Sequence, residues 1–274
     1  MPEFGYHTTG NEVASHFSSQ IKGKTILITG CSPSSLGAET ALTLSKHSPA
    51  LLVLSGPAVE VNDYAEKVDI LINNAGISGG KRKLNDARIE MQFATNHIGH
   101  FLFTNLLLPK MLADGGSNSG KPRIVNLTSR GHIFSGVRWD DINLSKVSEQ
   151  EYPLVGYGQS KTANILFTVG LARRFGSRGV EAYSVHPGSI WTNLMRDLTT
   201  EEMMERGWCD ADRKAKDNAT FNWKSIQEGV STTMVATLDP ALGKNDNGAY
   251  LADSRVEKED VKQYALDESD AERL

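Results

Sequence analysis

Short apolar runs alternate with segments of helical periodicity along most of the chain, and this alternation limits the possible folds more than any other feature. Each run is apolar throughout instead of alternating with polar residues, which is typical of strands buried on both faces of a parallel sheet. The pattern predicts an α/β fold with a doubly wound parallel sheet in a single domain. The predicted strands are 24–30, 51–55, 68–74, 123–129 and 180–188, and the predicted helices are 13–21, 38–47, 87–112 and 155–175.

Composition argues against several kinds of partner. The chain of 274 residues carries 29 basic and 33 acidic residues, and its net charge of -4 offers no basic surface for nucleic acid. The first residues lack the basic and apolar regions of a secretory signal, and the most apolar helical segment, 98–112, is too short to span a membrane. Cys31 and Cys209 lack zinc-type spacing, so we expect two free thiols. We therefore expect a soluble, cytoplasmic protein without a membrane span.

The first strand leads through a glycine-containing turn into a helix, in the sequence ILITGCSPSSLGAETA at 26–41. Backbone N–H groups and the helix N-terminus in such a turn can bind a pyrophosphate. Gly30 and Gly37 are present, but Ser35 stands where a middle glycine is usual. By itself the turn fits an ordinary strand-to-helix connection equally well.

Tyr157 and Lys161 lie four residues apart in a predicted helix, so their side chains share one face. A neighbouring ammonium favours a phenolate, and we expect it to bring the pKa of Tyr157 toward the range in which a phenol exchanges protons. Taken alone, a Tyr-x-x-x-Lys pair is usually a solvated helix face.

Four further motifs occur in a fixed order around this pair: NNAG at 73–76, NHIGHF at 96–101, NLTS at 126–129 and HPGSIWT at 186–192. Together with the glycine turn, the set resembles the short-chain dehydrogenase/reductase family, and particularly its retinol-dehydrogenase-like and fungal members. The resemblance runs from about residue 12 to the C-terminus. It implies a Rossmann-type sheet and an oxidoreductase that transfers a hydride between NADP(H) and a ketone, aldehyde or alcohol, with NAD as the alternative cofactor. A role in fungal secondary metabolism is implied by the same resemblance.

The resemblance assigns a role to each member of the catalytic set. Tyr157 would be the proton donor in reduction and the acceptor in oxidation, and Lys161 would lower its pKa and bind the nicotinamide ribose. Ser129 would orient the substrate oxygen. Asn96 would hold a helix kink and a water that relays protons to Lys161. The cofactor-binding residues implied in the same way are Gly30, Leu36, Gly37, Asn74, Ala75, Gly76, Tyr157, Lys161, Ile190 and Thr192.

The family pattern also divides the single domain into segments. These are an N-terminal extension at 1–23, a shortened dinucleotide-binding half at 24–76, a catalytic half at 87–190, a substrate lid at 191–225 and a C-terminal segment at 226–274. Met203, Met204 and Trp208 fall within the lid, where they would either contact an apolar substrate or pack the lid down.

The connection between the second and third apolar runs is unusually short. Only 11 residues, 57–67, separate SG at 55–56 from VD at 68–69, whereas the family pattern places a helix, a strand and another helix there. One edge strand and its helix after residue 56 are therefore expected to be absent, which would make 51–55 an edge open to pairing with a second copy. The absent strand normally carries an acidic residue that binds adenine, and Pro57 stands where an Arg often meets the 2′-phosphate of NADP. Loss of the adenine hydrogen bond would cost about 0.5–1.5 kcal/mol.

A pair of histidines and a short basic run could suggest further binding sites, but neither is expected to form one. His97 and His100 lack a carboxylate or thiol at ligand spacing, so we expect helix packing residues and no metal site. The basic run KRK at 81–83 is expected to be a solvated loop instead of a phosphate contact.

Three functions therefore stay open from the sequence. The chain is an active NADP(H)-dependent enzyme with a weakened cofactor pocket, or a non-catalytic binding protein on the same scaffold, or a shortened isoform whose full-length form is the working enzyme. The short connection and Ser35 favour the second, and the abrupt helical ending ESDAERL favours the third.

Overall fold

The computed structural model describes residues 3–55, 67–112, 120–217 and 222–274. Within these ranges one sheet of seven strands has the order β2-β1-β3-β4-β5-β6-β7, and every neighbouring pair is parallel except β6 with β7. All five predicted strands are present, which confirms the α/β fold with a parallel sheet. The strands are β1 Thr25–Thr29, β2 Leu51–Ser55, β3 Ile70–Asn73, β4 Arg123–Leu127, β5 Glu181–His186, β6 Tyr250–Ala252 and β7 Arg255–Val256.

The described helices include all four predicted ones, with some changed limits. A capping box at Thr9 starts the first helix earlier than predicted, and the predicted helix 155–175 begins three residues sooner. None of the described helices has the length and apolar character needed to cross a membrane. The helices are α1 Gly10–His16, α2 Leu36–Ser45, α3 Met91–Phe93, α4 Gly99–Met111, α5 Tyr152–Phe175, α6 Thr200–Glu205, α7 Ile226–Leu238, α8 Gly243–Asp246 and α9 Glu268–Arg273.

The predicted start of the helix at 87 is wrong. Leu84 and Glu90 form an isolated antiparallel bridge, so the backbone up to Glu90 is not helical. The buried Glu90 carboxylate then accepts the backbone N–H groups of Gln92 and Phe93 at 2.8 Å each. A side chain that satisfies the free N–H groups of a helix fixes where the helix begins. A π-helical turn, Ala94–Ile98, then joins α3 to α4, and it contains Asn96.

Helices cover both faces of the sheet because alternate strand residues point to opposite sides. In β1, Ile26 and Ile28 belong to a core shared with α1, α2 and α7, whereas Leu27 belongs to the core under α4 and α5. The sheet is therefore doubly wound, as predicted.

A ladder of buried polar side chains links the middle of the sheet to the helices on one face. The Asn73 side-chain nitrogen donates to the Thr104 hydroxyl at 2.9 Å and to the Asn126 side-chain oxygen Oδ1 at 2.8 Å, and the Asn126 side-chain nitrogen donates to Thr168 at 2.9 Å. These bonds favour one arrangement, because breaking any of them would leave another buried polar group without a partner, as the Asn73 side-chain oxygen already is among the described residues. The ends of β3 and β4 are thus held to α4 and α5.

Among the described residues, β2 is the outermost strand and pairs with β1 alone, from Thr25↔Leu51 to Thr29↔Ser55. Leu54 on this strand is 48% exposed. The predicted loss of a strand and helix after residue 56, and Pro57 itself, lie outside the described residues. Homo-oligomerisation through this edge stays a prediction.

Candidate active site

A cavity of about 800 Å³ opens at the carboxyl ends of the parallel strands, where open α/β sheets bind their ligands. Its wall combines the turn after β1, the segment after β3, one face of α5 and the residues that follow β5. Eight of the predicted site residues line it: Gly30, Leu36, Asn74, Ala75, Gly76, Tyr157, Lys161 and Thr192.

The glycine turn after β1 presses against the segment that follows β3. Gly30 has φ +73°, and a Cβ there would lie 2.6 Å from the Cα of Ala75. A Cβ on Gly37 would lie 2.5 Å from the Asn74 side-chain nitrogen. Both glycines are therefore required by close approach, and Gly30 also by its left-handed backbone. Gly37 does not line the cavity and lies behind its wall.

Ser35, in place of the usual middle glycine, is conformationally ordinary. Its φ of -97° and ψ of 161° are extended, and its hydroxyl oxygen accepts the Ala38 N–H at 3.2 Å as the N-cap of α2. The same hydroxyl donates to the Gly30 carbonyl at 3.1 Å. The serine is thus a helix cap in an ordinary backbone conformation, whereas its neighbour Ser34 has a left-handed φ of +61°.

Thr29 joins the two segments. Its hydroxyl oxygen accepts the N–H groups of Asn74 and Ala75 at 3.0 Å each, while the Asn74 amide donates to the carbonyls of Thr29 and Gly30 at 2.8 and 3.0 Å. The amide nitrogen of Asn74 is thereby committed to the turn. Its predicted contact with the adenosine ribose stays a prediction.

Two of the predicted catalytic side chains, Tyr157 and Lys161, line the cavity, and Ser129 contacts Tyr157 without lining the cavity itself. Tyr157 and Lys161 lie one turn apart on α5, with the Lys161 Nζ 5.5 Å from the centre of the Tyr157 ring. Ser129, just beyond β4, hydrogen-bonds the Tyr157 side chain, and its oxygen accepts the Gly131 N–H at 3.0 Å. A Cβ on Gly131 would lie 2.8 Å from the phenol ring, so the ring is packed against bare backbone. The hydroxyl, phenol and amine therefore form one cluster.

Burial raises the pKa of Tyr157, and the hydrogen bond from Ser129 opposes this only in part. The expectation that Lys161 brings this pKa down is wrong for the structure, because desolvation of the phenolate outweighs every favourable contact. Burial also lowers the pKa of Lys161 to about 8. The Lys161 ammonium donates to the Leu127 carbonyl at 3.1 Å. Both groups are thus shifted toward their neutral forms.

Asn96 does not line the cavity; it holds the segment that follows β3 from behind. Its side-chain oxygen Oδ1 accepts the Ile77 N–H at 2.8 Å, and its side-chain nitrogen Nδ2 donates to the Ile77 carbonyl at 3.0 Å and to Ser160 at 2.9 Å. The water predicted at Asn96 stays a prediction. Ile190 also lies behind the wall, where it packs against Gly229.

The two histidines near Asn96 have different environments. His97 is buried among Phe93, Phe101 and Phe167, and burial lowers its pKa to about 3. It is the packing residue that was expected. His100 instead lines the cavity and hydrogen-bonds Thr29, so its interpretation as a packing residue is wrong.

Within the described ranges, no three His, Cys, Asp or Glu side chains gather as a metal site requires.

Several cavity residues escaped the sequence reasoning: Thr29, Ser32, Ile77, Thr95, Gly99, His100, Phe103, Leu127, Thr128, Pro187, Asn193, Leu194 and Arg196. A signal existed for two of them. Thr29 ends the strand before the glycine turn, and His100 follows Asn96 by one helical turn.

The described part of the predicted lid is closed at its base and has its own small core. The backbone N–H of Lys224 donates to the Ser189 carbonyl at 2.8 Å, where the two ends of the lid meet. Met203 is completely buried with Trp208 and Cys209, whereas Met204 is 45% exposed. Met203 and Trp208 therefore pack inside the lid itself, and neither they nor Met204 line the cavity. Cys31 and Cys209 are both free thiols, and the basic run 81–83 is exposed.

Comparison with known proteins agrees with this geometry. The profile of the family described as short chain dehydrogenase matches residues 58–139. The chain is 41% identical over 213 residues to short-chain dehydrogenase TIC 32 A, chloroplastic, of Brassica napus, and 34% identical over 215 residues to human retinol dehydrogenase 14. Each match covers 76% of this chain. This chain belongs to the short-chain dehydrogenase/reductase family.

The matched regions cover 61% and 56% of those two proteins, so the chain spans less than two thirds of the length of the curated relatives it matches. The fold resembles that of a gluconate 5-dehydrogenase from Burkholderia cenocepacia solved in complex with NADP and tartrate. The TM-score is 0.58 at 20% identity, and the likeness covers 86% of this chain and 97% of that one.

Replacing Gly30 by Ala should destabilise this family member more than the matched change Gly23→Ala. Both glycines have positive φ, +73° and +74°, but the added Cβ meets open space at Gly23 and the Ala75 backbone at Gly30. We expect Gly23→Ala to cost about 1–2 kcal/mol and Gly30→Ala about 1–3 kcal/mol more. Urea unfolding measures both, and equal losses would show that the close approach carries no energy.

Replacing Lys161 by Met should stabilise the cofactor-free protein at neutral pH. Because the native pKa of Lys161, about 8, lies below its usual value of 10.5, the buried ammonium opposes folding below about pH 8. The unfolded chain binds more protons between these two values, so the stability of the wild type should rise there relative to the variant. Thermal unfolding from pH 7 to 10 measures the difference.

The exposed Lys22→Met serves as the control, with no such pH-dependent difference. A wild type that is more stable than Lys161→Met at pH 7 would contradict the expectation.

Proposed function

We propose that this chain is an oxidoreductase that uses NADP(H) to interconvert a carbonyl compound and its alcohol. The observation that carries the proposal is the pair of Tyr157 and Lys161 at the wall of the strand-end cavity, with Ser129 hydrogen-bonded to Tyr157. The family membership supports it, since relatives include human retinol dehydrogenase 14. NAD is the alternative cofactor, because residues 56–66, which bear on recognition of the 2′-phosphate, lie outside the described ranges.

The cavity suits an anionic dinucleotide. Lys161 and Arg196 line it, and no carboxylate is among its lining residues in the described ranges. The turn around Gly30 and the N-terminus of α2 would hold the diphosphate, with Ser35 and Leu36 at the wall. Ala75 and Gly76 would lie along the adenosine ribose, and Thr192 would hold the carboxamide side. Bound there, the cofactor supplies or accepts the hydride.

Tyr157 has the properties of a proton donor. Its raised pKa keeps the phenol protonated at neutral pH, so the proton is available for the oxygen of a carbonyl substrate. The Ser129 oxygen already accepts the Gly131 N–H, which leaves its own proton to donate to Tyr157 or to the substrate oxygen. Lys161 would stabilise the phenolate left after proton transfer. Acid catalysis of this kind is worth roughly 10²–10⁴ in rate.

The substrate itself is proposed only as a small carbonyl or alcohol compound. The rest of the wall offers apolar groups to it, from Ile77, Phe103, Pro187 and Leu194. A cytoplasmic location and a role in fungal secondary metabolism stay predictions from the sequence.

Cofactor titration distinguishes the enzyme from a non-catalytic binding protein. With an intact turn and a cavity of about 800 Å³, NADPH should saturate the purified chain and should bind more tightly than NADH. Nicotinamide fluorescence measures both affinities. Absence of saturation at millimolar concentrations of either cofactor would eliminate the proposed enzyme.

Tyr157→Phe should lower kcat by about 10²-fold or more and leave the cofactor affinity nearly unchanged. The change removes the donated proton and keeps the ring that packs against Gly131. Aldehyde and ketone reduction followed by NADPH absorbance gives kcat, and fluorescence titration gives Kd. Retained turnover would assign the proton transfer to another group.

A further inference from the structure

A closed ring of hydrogen bonds surrounds the segment from Asn74 to Ile77. Thr29 binds the start of the segment through the backbone N–H groups of Asn74 and Ala75 at 3.0 Å each, and Asn96 binds its end through both polar groups of Ile77. His100 connects these two holders. Its Nε2 lies 2.9 Å from the Thr29 hydroxyl oxygen, and its Nδ1 lies 3.1 Å from the backbone carbonyl oxygen of Asn96.

The chemistry of the partners fixes the direction of every bond in the ring. A carbonyl only accepts, so Nδ1 of His100 must carry a proton and donate to Asn96. In the neutral imidazole, Nε2 is then an acceptor, and Thr29 donates its single proton to it. The Thr29 oxygen in turn accepts the N–H groups of Asn74 and Ala75. Each hydrogen-bonding group of Thr29 and of the His100 ring is therefore used.

The surroundings of His100 favour this neutral form. The side chain is 5% exposed, and burial together with the nearby Lys161 ammonium lowers its pKa to about 4. A charged imidazolium would have no acceptor at Nε2 and would set two donors, its own N–H and the Thr29 hydroxyl, against each other. The ring thus requires an uncharged histidine.

We propose that His100 is a positioning residue that holds the cavity wall from Asn74 to Ile77 in place for the cofactor. It acts through Thr29 and Asn96 and takes no part in proton transfer. This inference rests on the proposed function, because the cofactor would lie along Ala75 and Gly76. Loss of His100 should therefore weaken cofactor binding and leave the chemical step at Tyr157 intact.

The test compares His100→Phe with His97→Phe. Both changes replace a buried histidine by a ring of similar size, three residues apart, but His97 packs among phenylalanines away from the cavity. We expect His100→Phe to weaken NADPH binding about tenfold, the effect of one lost hydrogen bond, with kcat at saturating cofactor within about threefold of the wild type. His97→Phe should leave the NADPH Kd unchanged.

A second readout does not need the cofactor. Hydrogen exchange of the Asn74 and Ala75 amides in the free protein should accelerate about tenfold in His100→Phe relative to amides within β1 and β3. His100→Gln, which offers an acceptor near the position of Nε2, should restore slow exchange and much of the affinity. If the wild type binds neither NADPH nor NADH, the proposed function fails, and exchange still decides the role of His100.

Unchanged affinity and unchanged exchange in a folded His100→Phe would overturn the inference. So would a uniform acceleration of exchange across the sheet, since that would reduce His100 to a packing residue. Should His100→Phe fail to fold, Thr29→Val and Thr29→Ser carry the same test. Thr29→Val removes the hydroxyl that His100 and the two amides share, and it should weaken NADPH binding. Thr29→Ser keeps this hydroxyl and should bind NADPH as the wild type does. Equal NADPH affinities of these two variants would also overturn the inference.

Discussion

The site depends on one close contact, in which the backbone of Gly30 after β1 lies against the backbone of Ala75 after β3 with no room for a Cβ on Gly30. β1 and β3 are hydrogen-bonded neighbours in parallel register, from Ile26↔Ile70 to Ile28↔Ile72, so their carboxyl ends emerge side by side. At this junction a Cβ on Gly30 has no room, and Thr29 supplies the one hydroxyl that binds the adjoining amides. The floor of the cavity follows from these contacts.

The part of the wall formed by α5 buries two ionisable groups at a cost in folding energy. α5 buries the Tyr157 phenol and the Lys161 amine in one cluster, and burial moves their pKa values apart, raising that of Tyr157 and lowering that of Lys161 to about 8. Such a pair costs folding energy and is typical of sites that bind charge or exchange protons. An anionic ligand in the cavity would relieve the penalty at Lys161, which couples ligand binding to the state of the proton donor.

Long segments with a clear pattern could be predicted, and short or locally capped ones could not. The five strands from β1 to β5 and the position of Tyr157 and Lys161 on α5 follow from continuous apolar runs and a four-residue spacing. The predicted helix start at 87 was wrong, because the Glu90 carboxylate accepts the first two free N–H groups and so makes the helix begin after Glu90. β6 and β7 escaped prediction, since strands of three and two residues show no periodicity.

The amino-acid sequence alone determined which chemical groups are present and on which element each lies. It places the Tyr157 phenol and the Lys161 amine on one helix, the Ser129 hydroxyl after one strand, and two glycines in one turn. Three-dimensional packing settled how those groups behave. His97 and His100 look alike in NHIGHF, yet one faces three phenylalanines and the other faces Thr29 and the cavity. The pKa of Tyr157 likewise depends on burial by segments far away in the chain. Both properties depend on contacts between distant segments, and local spacing carries no information about those contacts.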